Sequence, residues 1–230
     1  MKRLALLLCS LVASWPLAAQ EWPNWRGTST NSGYSAETIT LPLLPAWSDQ
    51  TPKIQENGLV VGGGVVYVAG SDGYLYAKHS DSQEAVEGFP LQIAAGYNLS
   101  TPAFTKGKIF VRHSDGLLYG YEALNGMLLP GFPKPCGNAT SAPFCGPVIA
   151  NEKIYSSGAN DSLYAFHTNN GETVSGFPVY VGPDTYGSSP AGSGGLVYFS
   201  SSEGRIFAFN ADTGTALDGF PISTIPAARQ

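Results

Sequence analysis

The chain holds little of what catalytic machinery is made from. There are three histidines and three cysteines in 230 residues. No Gly-x-Ser-x-Gly segment is present, so there is no nucleophile elbow. No Asp-x-Asp-x-Asp-Gly loop is present to cage calcium. The stretch VVGGG, Val60 to Gly64, lacks the Lys-Ser/Thr ending and the following helix of a phosphate loop, and it reads as a strand-turn-strand link. No long window repeats at 3.6 residues, which excludes a helical fold. Beyond the first 19 residues no apolar run nears the about 20 needed to cross a bilayer. No charge block or low-complexity tail appears.

Glycine and proline are abundant, at 28 and 17 residues. They punctuate a repeat. SDGYLYAKHSDSQEAVEGFP begins at Ser71, and related copies begin at Ser114, Ala159 and Ser202. The turn residues Gly73, Gly116, Asp161 and Gly204 are spaced 43, 45 and 43 apart, and so are the closing glycines Gly88, Gly131, Gly176 and Gly219. Two signals in one register mark an internal repeat. Ahead of each turn lie two alternating β-branched and aromatic runs, the second holding Val66-Tyr67-Val68, Ile109-Phe110-Val111, Ile154-Tyr155 or Val197-Tyr198-Phe199. An Asp-Gly hairpin follows, because glycine takes φ > 0 freely. A third strand comes next, and a fourth starts near Phe89, Phe132, Phe177 and Phe220. Four strands in about 43 residues is one propeller blade. A unit so small cannot bury a core alone, so the blades must stack. The expected fold is an all-β propeller of four four-stranded blades, over 57–96, 97–139, 140–185 and 186–222.

Residues 1–19 read as a signal peptide: Lys2 and Arg3, an apolar core from Leu4 to Val12, and small residues Ala18 and Ala19 before Gln20. Cys9 does not make a lipoprotein signal, since Leu8 precedes it. The expected mature chain is periplasmic or secreted and has no membrane span. Without Lys2 and Arg3 it has 10 basic and 17 acidic residues, a formal charge of −7. That charge argues against nucleic acid and anionic membrane surfaces. Cys136 and Cys145 remain, and export makes a disulfide between them the expected state. Two free thiols are the alternative; a metal site lacks a second pair or a nearby His. The two extra residues of the 45-residue spacing fall in this same stretch, between Pro133 and Asn160. Asn98, Asn138 and Asn160 head formal glycosylation sequons, relevant only in a eukaryotic host, whereas the short leader is bacterial in style.

The last repeat, VYFSSSEGRIFAFNADTGTALDGF, resembles the pyrroloquinoline-quinone-like (quinoprotein-type) β-propeller repeat family. The matching positions are Glu203-Gly204, Phe207-Ala208-Phe209-Asn210 and Asp212-Thr213-Gly214. The stretch from Glu21 to Ser35 is similar to the opening segment of such propellers. The resemblance runs from about Trp22 to Pro221. It implies a fold more than a function. The family's docking Trp is replaced by Gly-Phe-Pro, so Phe89, Phe132, Phe177 and Phe220 are expected between blades. Quinone-dependent dehydrogenases of the family carry a vicinal cysteine pair and a calcium cluster, and neither is assignable here. Only nine residues follow Pro221. An incomplete, open ring is therefore expected. It would be a half-ring that pairs, a piece of a longer propeller, or an arc to which the segment Gln20 to Glu56 adds an irregular extra blade.

His79 and His167 are equivalent positions two blades apart, and His113 lies before its turn; none has a partner at metal or triad spacing. Asp72, Asp115 and Glu203 read as turn residues, not calcium ligands. Trp22, Trp25 and Trp47 are expected to dock the N-terminal segment. Strand parity puts the Asp-Gly hairpins and the inter-blade links on one rim. Tyr97, Asn98, Asp184 and Tyr186 gather there as the candidate binding residues, since loops on a rigid scaffold carry binding. The leading expectation is an exported, non-catalytic binding module with no cofactor, for a protein partner or self-association. The alternative is a fragment of a dehydrogenase using pyrroloquinoline quinone and calcium.

Overall fold

The computed structural model describes residues 21–24, 26–31, 48, 54–94, 99–138, 145–182, 188–201 and 203–224. Each repeat folds as one antiparallel meander, with strand order following sequence order. Blade 1 is β1 (Ile54–Gly62), β2 (Val65–Gly70), β3 (Tyr74–His79) and β4 (Leu91–Gln92). Blade 2 is β5 (Ala103–Thr105), β6 (Lys108–Arg112), β7 (Leu117–Glu122) and β8 (Lys134–Pro135). Blade 3 is β9 (Val148–Ala150), β10 (Lys153–Ser157), β11 (Ser162–His167) and β12 (Val179–Tyr180). Blade 4 is β13 (Ala191–Ser193), β14 (Leu196–Ser200), β15 (Arg205–Asn210) and β16 (Ile222–Ser223). No described residue is helical. The strand β1 starts at Ile54, ahead of the expected repeat boundary, and a register shift follows between Ile54 and Leu59. The outermost strands are only two residues long and begin just past cis Phe–Pro bonds.

The Asp-Gly hairpin forms as its chemistry requires. Gly73 and Gly116 sit at φ 83° and 88°, and Asp161 takes φ 57° in their place. The preceding carboxylate closes the turn. Asp72 accepts from the Tyr74 amide at 3.1 Å and from the Tyr76 hydroxyl at 2.6 Å. Asp115 does the same for Leu117 and Tyr119, at 2.8 and 2.7 Å. In blade 3 the side-chain amide of Asn160 donates to the Tyr164 hydroxyl at 2.8 Å.

The core lies between blades, not within them. One apolar cluster joins blades 1 and 2, another joins 2 and 3, and a third joins 3 and 4. Among the described residues none joins blade 4 to blade 1, so the ring is open. Phe89, Phe132 and Phe177 are buried in these clusters, in ring contact with Tyr67, Phe110 and Tyr155. Burying one such ring contributes about 1.5–3 kcal/mol. Hydrogen bonds add direction. The Tyr67 hydroxyl donates to the Ala123 carbonyl of blade 2, and Tyr155 to the Ala211 carbonyl of blade 4, each at 2.9 Å.

The described part of the N-terminal segment runs across the inner edges of all four blades. Trp22 exchanges backbone hydrogen bonds with Val61 of β1, at 2.7 and 2.9 Å. The Pro23 carbonyl accepts from Phe104 of β5 at 2.7 Å. The Asn24 side chain accepts from Ile149 of β9 at 3.0 Å, and the Ser29 carbonyl accepts from Gly192 of β13 at 2.8 Å. Asn31 then donates to the Pro190 carbonyl at 2.9 Å. Edge amides that would otherwise lack partners are thereby satisfied. The Trp22 indole lies against the backbone of Gly27, where an added Cβ would come within 3.1 Å of the ring.

Candidate functional site

Two places concentrate polar chemistry. The first is the joint between blades 2 and 3 on the hairpin rim. Arg112, the last residue of β6, is 1% exposed and is the largest fully buried side chain among the described residues. Its Nη2 donates to the Cys136 carbonyl at 3.1 Å. Burial lowers the guanidinium's proton affinity, an effect opposed by Cys136, Tyr164, Asp115 and Cys145 around it. His113 is equally buried. Its Nδ1 accepts from the Asp115 amide at 3.1 Å and lies 3.2 Å from the Asp115 carboxylate. Its ring meets Tyr119 edge-on.

Cys136 and Cys145 both face this arginine, and the expected disulfide between them is not formed. Both are free thiols. Cys136 follows β8, sits in the blade 2–3 cluster and hydrogen-bonds Ser156 of β10. Cys145 leads into β9 and hydrogen-bonds Ser189. Different blades therefore hold their side chains. Burial pushes the Cys136 thiol up to about 12, with Arg112 and Ser156 acting in the opposite sense. Burial raises the Cys145 thiol too. Thiols held neutral are poor nucleophiles. The joint holds a buried cation met by the Cys136 carbonyl, and not an activated thiolate. Residue reasoning missed Arg112. The repeat register carried the signal: the equivalent positions are Ala69, Ser157 and Ser200, all small.

The second place is a cleft of about 520 Å³ on the opposite side, between the N-terminal segment and the first hairpin of blades 2, 3 and 4. Glu21, Asn24, Lys106, Asn151, Glu152 and Ser193 line it. Lys106 pairs with Glu152 across blades 2 and 3, and Lys153 with Asp212 across blades 3 and 4. The Lys106 ammonium lowers the Glu152 carboxyl. This pair is largely exposed and contributes little stability.

Tyr97, Asn98, Asp184 and Tyr186 lie outside the described residues, as do Trp25 and Trp47. His79 and His167 end β3 and β11, half-buried and two blades apart. Asp72 and Asp115 are engaged in the tyrosine-closed turns, and Glu203 pairs with Arg205. Among the described residues, no three of His, Cys, Asp and Glu converge as a metal site. No helix among them is long and apolar enough to cross a membrane.

No family model and no curated protein matches the chain. Solved structures do. A europium-containing methanol dehydrogenase superposes with TM-score 0.67 at 17% identity, over 86% of this chain and 48% of its own. The quinohemoprotein alcohol dehydrogenase of Comamonas testosteroni gives 0.63 at 16%, over 87% and 41%. BamB of Moraxella catarrhalis gives 0.56 at 19%, over 67% and 45%. The chain spans less than half the length of each. At these identities the likeness is one of fold: an all-β, four-bladed open propeller arc.

Proposed function

We propose that this chain is an exported, non-catalytic propeller module that binds a protein or ligand through its hairpin rim or its free blade faces. The carrying observation is the N-terminal segment. It takes up inner-edge hydrogen bonds of all four blades, mostly with backbone and side-chain amide groups, and its Glu21 carboxylate is engaged by the Gly63 amide of blade 1 at 3.2 Å. The hairpin acids Asp72 and Asp115 are likewise committed to closing their turns. The rim residues Tyr97, Asn98, Asp184 and Tyr186 remain the proposed contacts, and export to the periplasm or beyond remains the proposed location.

The competing proposal, a piece of a quinone-dependent dehydrogenase, meets a donor set that does not fit. The chain has no vicinal cysteine pair. No cluster of acids converges among the described residues. The exported protein is to be mixed with pyrroloquinoline quinone and calcium, then desalted and scanned for bound-quinone absorbance and dye reduction with short alcohols. Neither signal is expected. Stoichiometric absorbance with dye reduction would reverse the assignment.

A further inference from the structure

Three inter-blade joints are built from one set of positions. Tyr67, Phe110 and Tyr155 are fully buried by the following blade, and so are Leu75, Leu118 and Leu163. Val86, Leu129 and Val174 are 2–3% exposed. At the rim, a Cβ on Gly88, Gly131 or Gly176 would land on the carbonyl of Asn125, Asn170 or Thr213 of the next blade.

Blade 4 repeats this face with no described residue packed across it as a next blade. Tyr198 and Ile206 are only half-buried, and Leu217 is 38% exposed. Gly219 meets nothing within 4 Å. Phe220 packs on Tyr198 as its equivalents do on theirs, at 6.3 Å, yet stays half-exposed. The apolar side chains that make three joints are thus retained at a fourth.

We propose that the outer face of blade 4 is a docking surface for a second copy of this chain, which seats its first blade there. The proposal rests on the reading of free blade faces as binding surfaces. Blade 1 offers the receiving pattern. Val66, Val68 and Tyr76 stand where Ile109, Val111 and Tyr119 stand in blade 2, and all three are half-buried. The Ser80 carbonyl holds the place of the Ala123 carbonyl that Tyr67 reaches.

Charge supplies the complement. Blade 1 carries Lys78 where the joints elsewhere bury Tyr121, Phe166 and Phe209. Blade 4 carries exposed Asp218 beside Gly219, the glycine whose equivalents meet the next blade. One feature works against close seating. Gln83 replaces Gly126, Gly171 and Gly214, whose Cβ positions lie 2.6–3.3 Å from the preceding blade's carbonyl. Each copy gives its blade 4 to the other's blade 1, so two joints close on a two-fold axis.

The test is sedimentation velocity of the exported protein from about 1 to 100 µM, a range spanning ordinary homodimer affinities. A discrete dimer is expected. Tyr198→Arg with Leu217→Asp is expected to weaken it at least about tenfold, since truncating central anchors costs most, with an unchanged melting temperature for the monomer. Lys78→Glu is expected to weaken it and Asp218→Lys to restore it in combination. Gln83→Gly is expected to tighten it. A monomer throughout the range overturns the proposal, as does a dimer that none of these variants changes, or a ladder of open oligomers. A monomer that still takes up no quinone sinks the pairing alone, whereas quinone uptake sinks the non-catalytic reading.

Discussion

Replacing Tyr155 by Phe removes a single oxygen from the joint between blades 3 and 4. The hydroxyl is buried and donates to the Ala211 carbonyl at 2.9 Å. Burial, and then the Asp212 carboxylate, raise the proton affinity of this phenol far above its free value, so it is a pure donor at neutral pH. Ala211 is 4% exposed, so water cannot readily replace the lost donor. A net hydrogen bond is worth about 0.5–1.5 kcal/mol, and a stranded buried acceptor costs about 1–3. The expected loss is about 1–2 kcal/mol. For a domain of roughly 200 residues, 1 kcal/mol moves the melting temperature by about 2–4 °C. Thermal melts of Tyr155→Phe should therefore fall by about 2–8 °C. Tyr67→Phe should match it, because Tyr67 makes the same bond to Ala123. Tyr180→Phe is the control, since Tyr180 is 69% exposed, and it should not move the midpoint. The joint does not collapse without the hydroxyl, because blade 2 carries Phe110 in this register. A Tyr155→Phe midpoint indistinguishable from that of Tyr180→Phe would refute the bond's contribution.

Alkaline pH should erode stability. Tyr76 is pushed up to about 12 by burial and then by the Asp72 carboxylate, Tyr121 to about 12 by burial, and Cys136 to about 12 by burial. Folding raises each above its free value of 10.0 or 9.0, so their contribution is complete below pH 9 and is lost as pH climbs toward 12; a urea midpoint that stays flat from pH 8 to 11 would contradict this. Gly131→Ala should cost at least about 2 kcal/mol more than Gly219→Ala in urea unfolding of the dilute chain. Both sit at nearly the same positive φ, 81° and 85°, yet a Cβ at Gly131 strikes the Asn170 carbonyl and one at Gly219 meets open space; equal costs would mean the joint itself is soft.

The blade was legible because its chemistry is local. A turn that demands φ > 0 selects glycine at residues 73, 116 and 204, and alternation selects the flanking strands. Phe89, Phe132 and Phe177 were expected between blades because the family resemblance puts a docking Trp at their place in the repeat, and they lie there. The cysteines misled because a 9-residue separation constrains neither side chain's direction. Cys136 is turned toward Ser156 and Cys145 toward Ser189, contacts fixed by different blades. The N-terminal segment was expected on one blade but touches four. Its contacts are mostly backbone carbonyls to edge amides, which any residue could make. Glu21, Asn24 and Asn31 bond through side chains there, on three different blades and with no common spacing to form a pattern.

The two ends of the arc are unlike, and the difference bears on how the ring is completed. Stacked repeats need terminal units whose outer faces tolerate water. Blade 1 meets that need by substitution, with Lys78 for an aromatic and Gln83 for a glycine. A lysine stem covers apolar surface while its ammonium stays solvated. Blade 4 makes no such substitution at Tyr198, Ile206, Leu217 or Phe220. An apolar face left in water is a cost with no local return. Retaining four apolar residues in joint register, beside a glycine that meets no described atom within 4 Å, is what a covered face requires. Blade 1 is the end that can stand alone, and blade 4 is the end that needs a partner.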